Sequence, residues 1–391
     1  MYAFKIILSI VLLLFLLSFN SNAYTKYKLQ NIKEGHYLLY DPDLDEIIIA
    51  NNHKEKIAPS SMTKLMTLYV VFEQLKKGTL KIDDYCIIGK DAYNKYGSTM
   101  NLGYRDIVKV SDLISGLMVM SGNDASIVLA QTSIKGGYDE FIKAMNFSAK
   151  KLNMNNSNFT NPHGLNEKNH YSTLYDIALL IDALYEDFPQ YGHYLGIKRF
   201  KYGDRVIENS NPLIKASYDG IVGGKTGYTS KGGYGVGVMV KRHYRRLIGV
   251  VNNMISINAR EKKITELIDY GFNKYKKIFF FKKNDKITNI KISNGYQKEI
   301  ETYIDEDVVI NMPYNISDSD IKVEIDYLAP LNAPIIKGEK VATLHIDIAG
   351  YKSYKYKLYS RNTIYELEFI DKVKLILKEE YLKLKKTILL N

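Results

Sequence analysis

Residues 58–66 read Ala58-Pro59-Ser60-Ser61-Met62-Thr63-Lys64-Leu65-Met66. From Met62 to Lys76, apolar residues recur at Met62, Leu65, Met66, Tyr69, Val70, Phe72 and Leu75, the spacing of an amphipathic helix. Pro59 and Ser60 mark its start and Gly78 its stop. Residues three apart share a helical face, so this helix would bring the Ser61 hydroxyl to the Lys64 amine. A serine is a poor nucleophile at neutral pH and needs a base within hydrogen-bond reach. A lysine serves where burial or a second cation makes its neutral form accessible. Free N–H groups at the helix start are suited to hold a developing oxyanion. Ser-x-x-Lys also occurs in exposed helices as a mere cap and a solvated charge, so the rest of the chain has to decide.

Ahead of this stretch, His36–Tyr40, a turn at Asp41-Pro42-Asp43 and Ile47–Ala50 read as a β-hairpin. Strand, strand, helix is the opening of a mixed α/β domain whose sheet is completed later in the chain. A second helix is expected from Lys109-Val110-Ser111-Asp112, capped by Ser111 and deeply buried through Leu117–Met120. It breaks at Ser121-Gly122-Asn123, and Asp124 would cap a further helix, Ala125–Gln131. By itself Ser-Gly-Asn is also what an ordinary turn contains. The loop Asn161-Pro162-His163-Gly164-Leu165 offers a histidine that fits a structural role better than a base, and Ser172 or Thr173 caps a helix from Leu174. Gly224-Lys225-Thr226-Gly227-Tyr228 then leads into an alternating hairpin, Gly233–Val240 and Leu247–Val251, with glycines where an edge approaches something closely. Lysine, threonine and backbone N–H groups on one strand are what a small carboxylate needs; the plain alternative is a turn lysine. A helix from Arg260 to Lys276 closes the domain.

With 391 residues the chain exceeds one ordinary core, and two domains are the default. The formal net charge of +11 suits an anionic surface or polymer, or simply a lysine-rich soluble protein. No zinc-finger spacing, phosphate loop or RNA-binding aromatic signature accompanies the lysines, so nucleic acid is not expected as a partner. A single cysteine, Cys86, excludes an internal disulfide, and the seven histidines form no metal-spaced set with carboxylates. No metal and no cofactor are expected. At the N-terminus, Lys5 precedes an apolar run from Ile6 to Phe19, then Ser21 and Ala23, the pattern of a secretory leader cleaved after Ala23. The run is short for a membrane span.

Three motifs now stand in order: Ser61-x-x-Lys64, Ser121-Gly122-Asn123 and Lys225-Thr226-Gly227. This set is shared by penicillin-binding proteins and β-lactamases. The surrounding text resembles one branch, the low-molecular-mass penicillin-binding proteins that are serine-type D-alanyl-D-alanine carboxypeptidases, over about residues 30–275. The resemblance implies a penicillin-binding/serine β-lactamase-like mixed α/β fold, a five-stranded antiparallel sheet beside a helical lobe. It also implies roles. Ser61 would attack the carbonyl between the terminal D-alanines of a peptidoglycan stem peptide, and Lys64 would take its proton. Ser121, bridging Lys64 and Lys225, would protonate the departing D-alanine. Asn123 would bind the substrate amide; Lys225, Thr226 and Gly227 would line the carboxylate site; N–H groups of Ser61 and Tyr228 would form the oxyanion hole. Arg260 is a candidate second cation for the carboxylate, with a surface ion pair as its alternative. β-Lactam antibiotics would acylate Ser61. Asn166 departs from the family's usual Asp, and Tyr228 stands where some members carry His. Neither change removes a catalytic group.

Beyond Phe281, short alternating runs at Ile287–Ile292, Val308–Met312, Ile321–Tyr327, Val341–Ile346 and Lys355–Tyr359 predict a small β-rich domain, a sandwich. From Thr363 to Asn391, Ile370, Val373, Ile376, Leu377, Tyr381, Leu384 and Ile388 share a helical face ringed by lysines. That suits a helix lying on anionic lipid, although Leu375, Leu382 and Leu389 fall opposite, and packing on the β domain is the alternative. The expected boundaries are a leader over 1–23, a catalytic domain over 24–276, a β-rich stalk over 277–362 and a membrane-anchoring helix over 363–391. The expected setting is the periplasmic face of the bacterial inner membrane. A D,D-endopeptidase of the same fold and an inert peptidoglycan-binding module are the competing functions.

Overall fold

The computed structural model describes residues 35–389 and the two-residue strand Ile6–Ile7. Apart from those two residues, the leader and its cleavage point lie outside the described residues. Internal contacts change over between Lys274 and Tyr275, so the chain forms two compact units.

The first unit opens with the expected hairpin, β1 (His36–Asp41) and β2 (Glu46–Asn51). The chain then runs through α1 (Lys64–Lys77), α2 (Val110–Val119), α3 (Asn123–Thr132), α4 (Gly137–Lys151) and α5 (Leu174–Asp187). It returns to the sheet with β3 (Ile221–Thr229), β4 (Gly233–Arg242) and β5 (Arg245–Met254), and closes with α6 (Ile257–Lys274). The five strands form one antiparallel sheet in the order β2-β1-β5-β4-β3. Long-range pairing of β1 with β5, Leu38 opposite Val250, closes the expected sheet, and β3 is left as its edge. Helices cover both faces, Ile177 and Ile181 of α5 against Gly237, and Ile264 and Ile268 of α6 against Gly249.

The helix that the apolar spacing describes as amphipathic is in fact buried all round from Lys64 to Phe72. It packs against α2, α3, α4 and α5 and so has no solvent face over those residues. Its α-helical part begins at Lys64; Ser60–Thr63 form a tighter 3₁₀ turn. Gly78 ends it in the left-handed region, φ 73°, donating its N–H to the Leu75 carbonyl 3.1 Å away. Ser111 is not the cap of α2. Lys109 occupies that position without a side-chain capping bond, and the first N–H groups donate to carbonyls of the preceding segment, Val110 to Asp84 at 2.9 Å and Ser111 to Ile82 at 3.1 Å. Asp124 likewise lies inside the first turn of α3, after Gly122. Thr173 does cap α5, its hydroxyl oxygen accepting from the Asp176 N–H at 3.0 Å.

The second unit is β-rich. Its strands are β6 (Tyr275–Phe281), β7 (Lys286–Ser293), β8 (Glu299–Ile304), β9 (Val308–Pro313), β10 (Ile321–Asp326), β11 (Leu331–Asn332), β12 (Lys340–Ile348) and β13 (Ser353–Ser360). The main sheet runs β10-β12-β13-β8-β7-β11, and β6 pairs with β9 as a separate ribbon. Period-two alternation sends Ala342, Leu344, Ile346 and Ile348 of β12 inward, to a core shared with Val308, Ile310 and Met312 of the ribbon. Three strands of this unit escaped the sequence reading, the two-residue β11 among them. Tyr275 opens β6 where the helix was extended to Lys276, and β8, Glu-Ile-Glu-Thr-Tyr-Ile, carries too few apolar residues to stand out. The chain ends in α7 (Phe369–Leu389), which exposes Ile370, Val373, Ile376, Leu377, Tyr381 and Leu382. Among the described residues, no helix is long and apolar enough to cross a membrane.

Candidate active site

Ser61 sits in the 3₁₀ turn immediately before α1. Side chains three apart eclipse one another in that geometry, which aligns Ser61 over Lys64 more closely than an α-helical turn does. The Lys64 Nζ lies 3.1 Å from the Ser61 Oγ. It also donates to the Asn123 Oδ1 and to the His163 carbonyl, each at 2.7 Å. Lys64 is fully buried, and that burial, reinforced by the charge of Lys225, pulls its pKa well below the usual lysine range. A neutral amine has two hydrogens and one lone pair. With both hydrogens taken by fixed acceptors, the lone pair is left facing the Ser61 hydroxyl.

The loop 161–165 supports this arrangement through its backbone. Pro162 O accepts from the Thr67 hydroxyl at 2.6 Å, and His163 O accepts from Lys64. The Asn161 side chain spans the loop, accepting from Gly164 N at 2.7 Å and donating to Leu165 O at 3.0 Å. The imidazole of His163 is buried and depressed to about 3, chiefly by desolvation, so it is neutral. Its Nδ1 accepts from Leu165 N at 3.2 Å. His163 is thus a structural histidine whose carbonyl, not whose ring, touches the base. Asn166 is exposed and outside the site.

Lys225, Thr226 and Gly227 lie on the edge strand β3, against the nucleophile turn. A Cβ at Gly227 would fall 3.0 Å from Pro59 O and 3.2 Å from Ser61 N, so only glycine lets the strand come this close. The Tyr228 ring is exposed and stacked on Tyr234, centroids 4.3 Å apart. Lys225 is buried and, among the described residues, donates only to its neighbour's carbonyl, Thr226 O, at 3.2 Å. Burial and the charge of Arg260 lower its pKa to about 7. The Thr226 hydroxyl meets that of Ser210 at 2.8 Å, and Arg260 Nη2 reaches Ser210 O at 3.5 Å. Arg260 is buried, with no bonded partner for its Nε among the described residues. It therefore belongs to the Lys225 cluster and not to a surface ion pair. Three buried basic side chains, the Lys64 amine and the cations Lys225 and Arg260, converge with no carboxylate bonded to any of them among the described residues. Such a pocket favours an incoming anion.

One expectation needs correction. Ser121 does not bridge Lys64 and Lys225: among the described residues its buried hydroxyl has no hydrogen-bond partner, and its backbone is held in the left-handed region at φ 59°. Asn123 carries a contact that its sequence position did not announce. Its Oδ1 accepts from Lys64 and its Nδ2 donates to Tyr96 O at 2.8 Å, so it also holds the base. Sequence reading missed Ser210, the carbonyls of His163 and Tyr96, and Lys95, whose charge also depresses Lys64. Backbone carbonyls carry no side-chain signature, and nothing marks Lys95 among so many lysines.

Comparison with known proteins identifies the family. Residues 22–256 match the family model described as D-alanyl-D-alanine carboxypeptidase, and residues 275–366 match that of the penicillin-binding protein 5 C-terminal domain. The chain is 33% identical over 356 residues to D-alanyl-D-alanine carboxypeptidase DacF of Bacillus subtilis, covering 88% of this chain and 91% of that relative. It is 31% identical to DacC of Escherichia coli, covering 80% of each. Among solved structures, D-alanyl-D-alanine carboxypeptidase DacD from Francisella tularensis superposes with a TM-score of 0.79 at 25% identity, over 89% of this chain and 97% of that one. Penicillin-binding protein 5 from Haemophilus influenzae gives a TM-score of 0.72 at 29% identity, over 85% and 97%.

Proposed function

The chain belongs to the D-alanyl-D-alanine carboxypeptidase family of peptidases, and from that premise we propose that it removes the terminal D-alanine of peptidoglycan stem pentapeptides through an acyl-enzyme on Ser61. The observation that carries the reading is the buried Lys64 amine 3.1 Å from the Ser61 hydroxyl, with its other hydrogens engaged elsewhere. Lys64 takes the Ser61 proton as Oγ attacks the scissile carbonyl. N–H groups of Ser61 and Tyr228 stabilise the oxyanion, which in such sites contributes about 3 kcal/mol per donor. Lys225, Thr226 and Arg260 hold the terminal carboxylate through charge-assisted hydrogen bonds. Ser121, its hydroxyl uncommitted, relays the proton taken up by Lys64 to the departing D-alanine nitrogen once substrate fills the cleft, giving its own and receiving that of Lys64. Water then hydrolyses the ester and returns Ser61. A β-lactam acylates the same oxygen.

The setting completes the reading. Residues 1–23 export the chain and are removed after Ala23, the β-rich unit serves as a stalk, and α7 rests on anionic lipid at the periplasmic face of the inner membrane. The role is in cell-wall maturation and shape. Incubation with a stem pentapeptide and assay of released D-alanine tests the activity, and fluorescent penicillin tests the acyl-enzyme. A carboxypeptidase releases D-alanine and keeps the label on Ser61. Cleavage of cross-linked dimers without D-alanine release indicates the endopeptidase, rapid loss of label a β-lactamase, and neither reaction an inert binder.

A further inference from the structure

Between a short helix, Lys90–Tyr93, and the strand Ile107–Lys109, the chain passes over the first turn of α3. Four hydrogen bonds tie residues 96–102 to that turn. The Asn123 N–H donates to Ser98 O at 2.7 Å and its Nδ2 to Tyr96 O at 2.8 Å. The Asp124 carboxylate accepts from Met100 N at 2.9 Å and from Leu102 N at 3.3 Å. Arg205 holds the same strap from outside, donating to Met100 O at 2.6 Å. Gly97 lies between the two carbonyls that grip Asn123. Its φ is +90°, and a Cβ there would fall 2.8 Å from Asn123 Nδ2.

The consequence reaches the base. A carbonyl at Tyr96 accepts only a donor, so it fixes which end of the Asn123 amide faces away from Lys64. The oxygen end is thereby turned to the Lys64 Nζ. We propose that the strap 96–102, through Gly97, is a positioning element that orients the Asn123 amide and so keeps the Lys64 lone pair on Ser61. Gly97 touches neither substrate nor reacting atoms; it is a positioning residue, acting through Asn123. This inference rests on the reading of Ser61 and Lys64 as nucleophile and base.

The test uses the full chain and the rate of acylation by fluorescent penicillin across pH. Gly97→Ala is compared with Gly78→Ala, which imposes the same left-handed strain at φ +73° with nothing within 4 Å of the new carbon. Both positions are exposed, and thermal melts verify that both variants fold. Gly97→Ala should acylate at least tenfold more slowly, with the acid limb of its profile moved to lower pH, because an ammonium that loses an acceptor gives up its proton more readily. Lys225, Asp124 and Lys95, the other charges acting on Lys64, are unchanged in these variants. Gly78→Ala should stay within twofold of the parent. In an Asn123→Ala background, adding Gly97→Ala should change the rate less than twofold. A Gly97→Ala enzyme as fast as Gly78→Ala, an unmoved limb, or losses that multiply in the double variant would overturn the strap. Failure of the parent itself to take the label would instead sink the Ser61 reading.

Discussion

Lys64 and Ser61 are joined across one 3₁₀ step, Nζ to Oγ 3.1 Å, with the amine wholly buried and the hydroxyl at the cleft. Loss of either half should be close to complete. Ser61→Ala is expected to abolish penicillin labelling. Lys64→Arg keeps hydrogen-bond donors but cannot offer a lone pair, and should slow acylation by about 10²- to 10⁴-fold. Stopped-flow acylation with a reporter β-lactam measures both.

Gly227 sets the distance between the carboxylate strand and the nucleophile turn. Gly227→Ala forces β3 or the Ser60–Ser61 turn to give by a few tenths of an ångström. Misplacement of this kind costs up to about 10²-fold in rate without a matching loss of stability. The expected result is a fall in kcat/KM of about 10- to 100-fold and a melting temperature near that of the parent.

Lys225 ties activity and stability to pH in opposite senses. Its pKa is lowered to about 7, so in the free enzyme the charge that receives a carboxylate fades as pH rises through that value. Lys225→Arg should carry the alkaline limb of kcat/KM to higher pH. The folded chain also lacks a proton that the unfolded chain still binds between about 7 and the ordinary 10.5, so this group makes stability rise with pH over that window. Lys225→Met should flatten that rise, as read from urea midpoints at pH 7 and pH 10.

His163 contributes its carbonyl to Lys64, and its ring is neutral. His163→Gln retains the backbone bond and an acceptor side chain. Its D-alanine release should stay within about fivefold of the parent, well short of the 10²-fold or more lost with a general base. A larger loss, with the fold intact, would make the imidazole part of the chemistry.

The exposed apolar side chains of α7 and the lysines around them call for a soft, anionic surface. Vesicles rich in phosphatidylglycerol should pull the full chain down at low salt. A chain truncated before Phe369 should stay in solution, and raising salt to 0.5 M, where the Debye length is only about 4 Å, should weaken the full chain's binding. Equal recovery of both chains on the vesicles would remove the helix from the account.

Much of this protein is legible without coordinates. The spacing from Ser61 to Lys64 falls within one turn, so local geometry alone brings the two together. Alternation located most strands of both units, and Gly78 and Thr173 terminate their helices as their chemistry requires. The order of three short motifs carried the family. The rest was settled by packing. Lys64 meets Asn123, 59 positions away in sequence, and the His163 carbonyl, 99 away, and Arg260 joins Lys225 only because α6 lies beside the sheet. The same packing buries α1 on every side and turns an ordinary lysine into a base. It also leaves the Ser121 hydroxyl unpartnered and assigns Asn123 to the lysine. A sequence pattern records which side chains a segment presents. Desolvation, backbone acceptors and like charges brought together from distant segments exist only after the chain has closed on itself, and here they set the proton balance of the site.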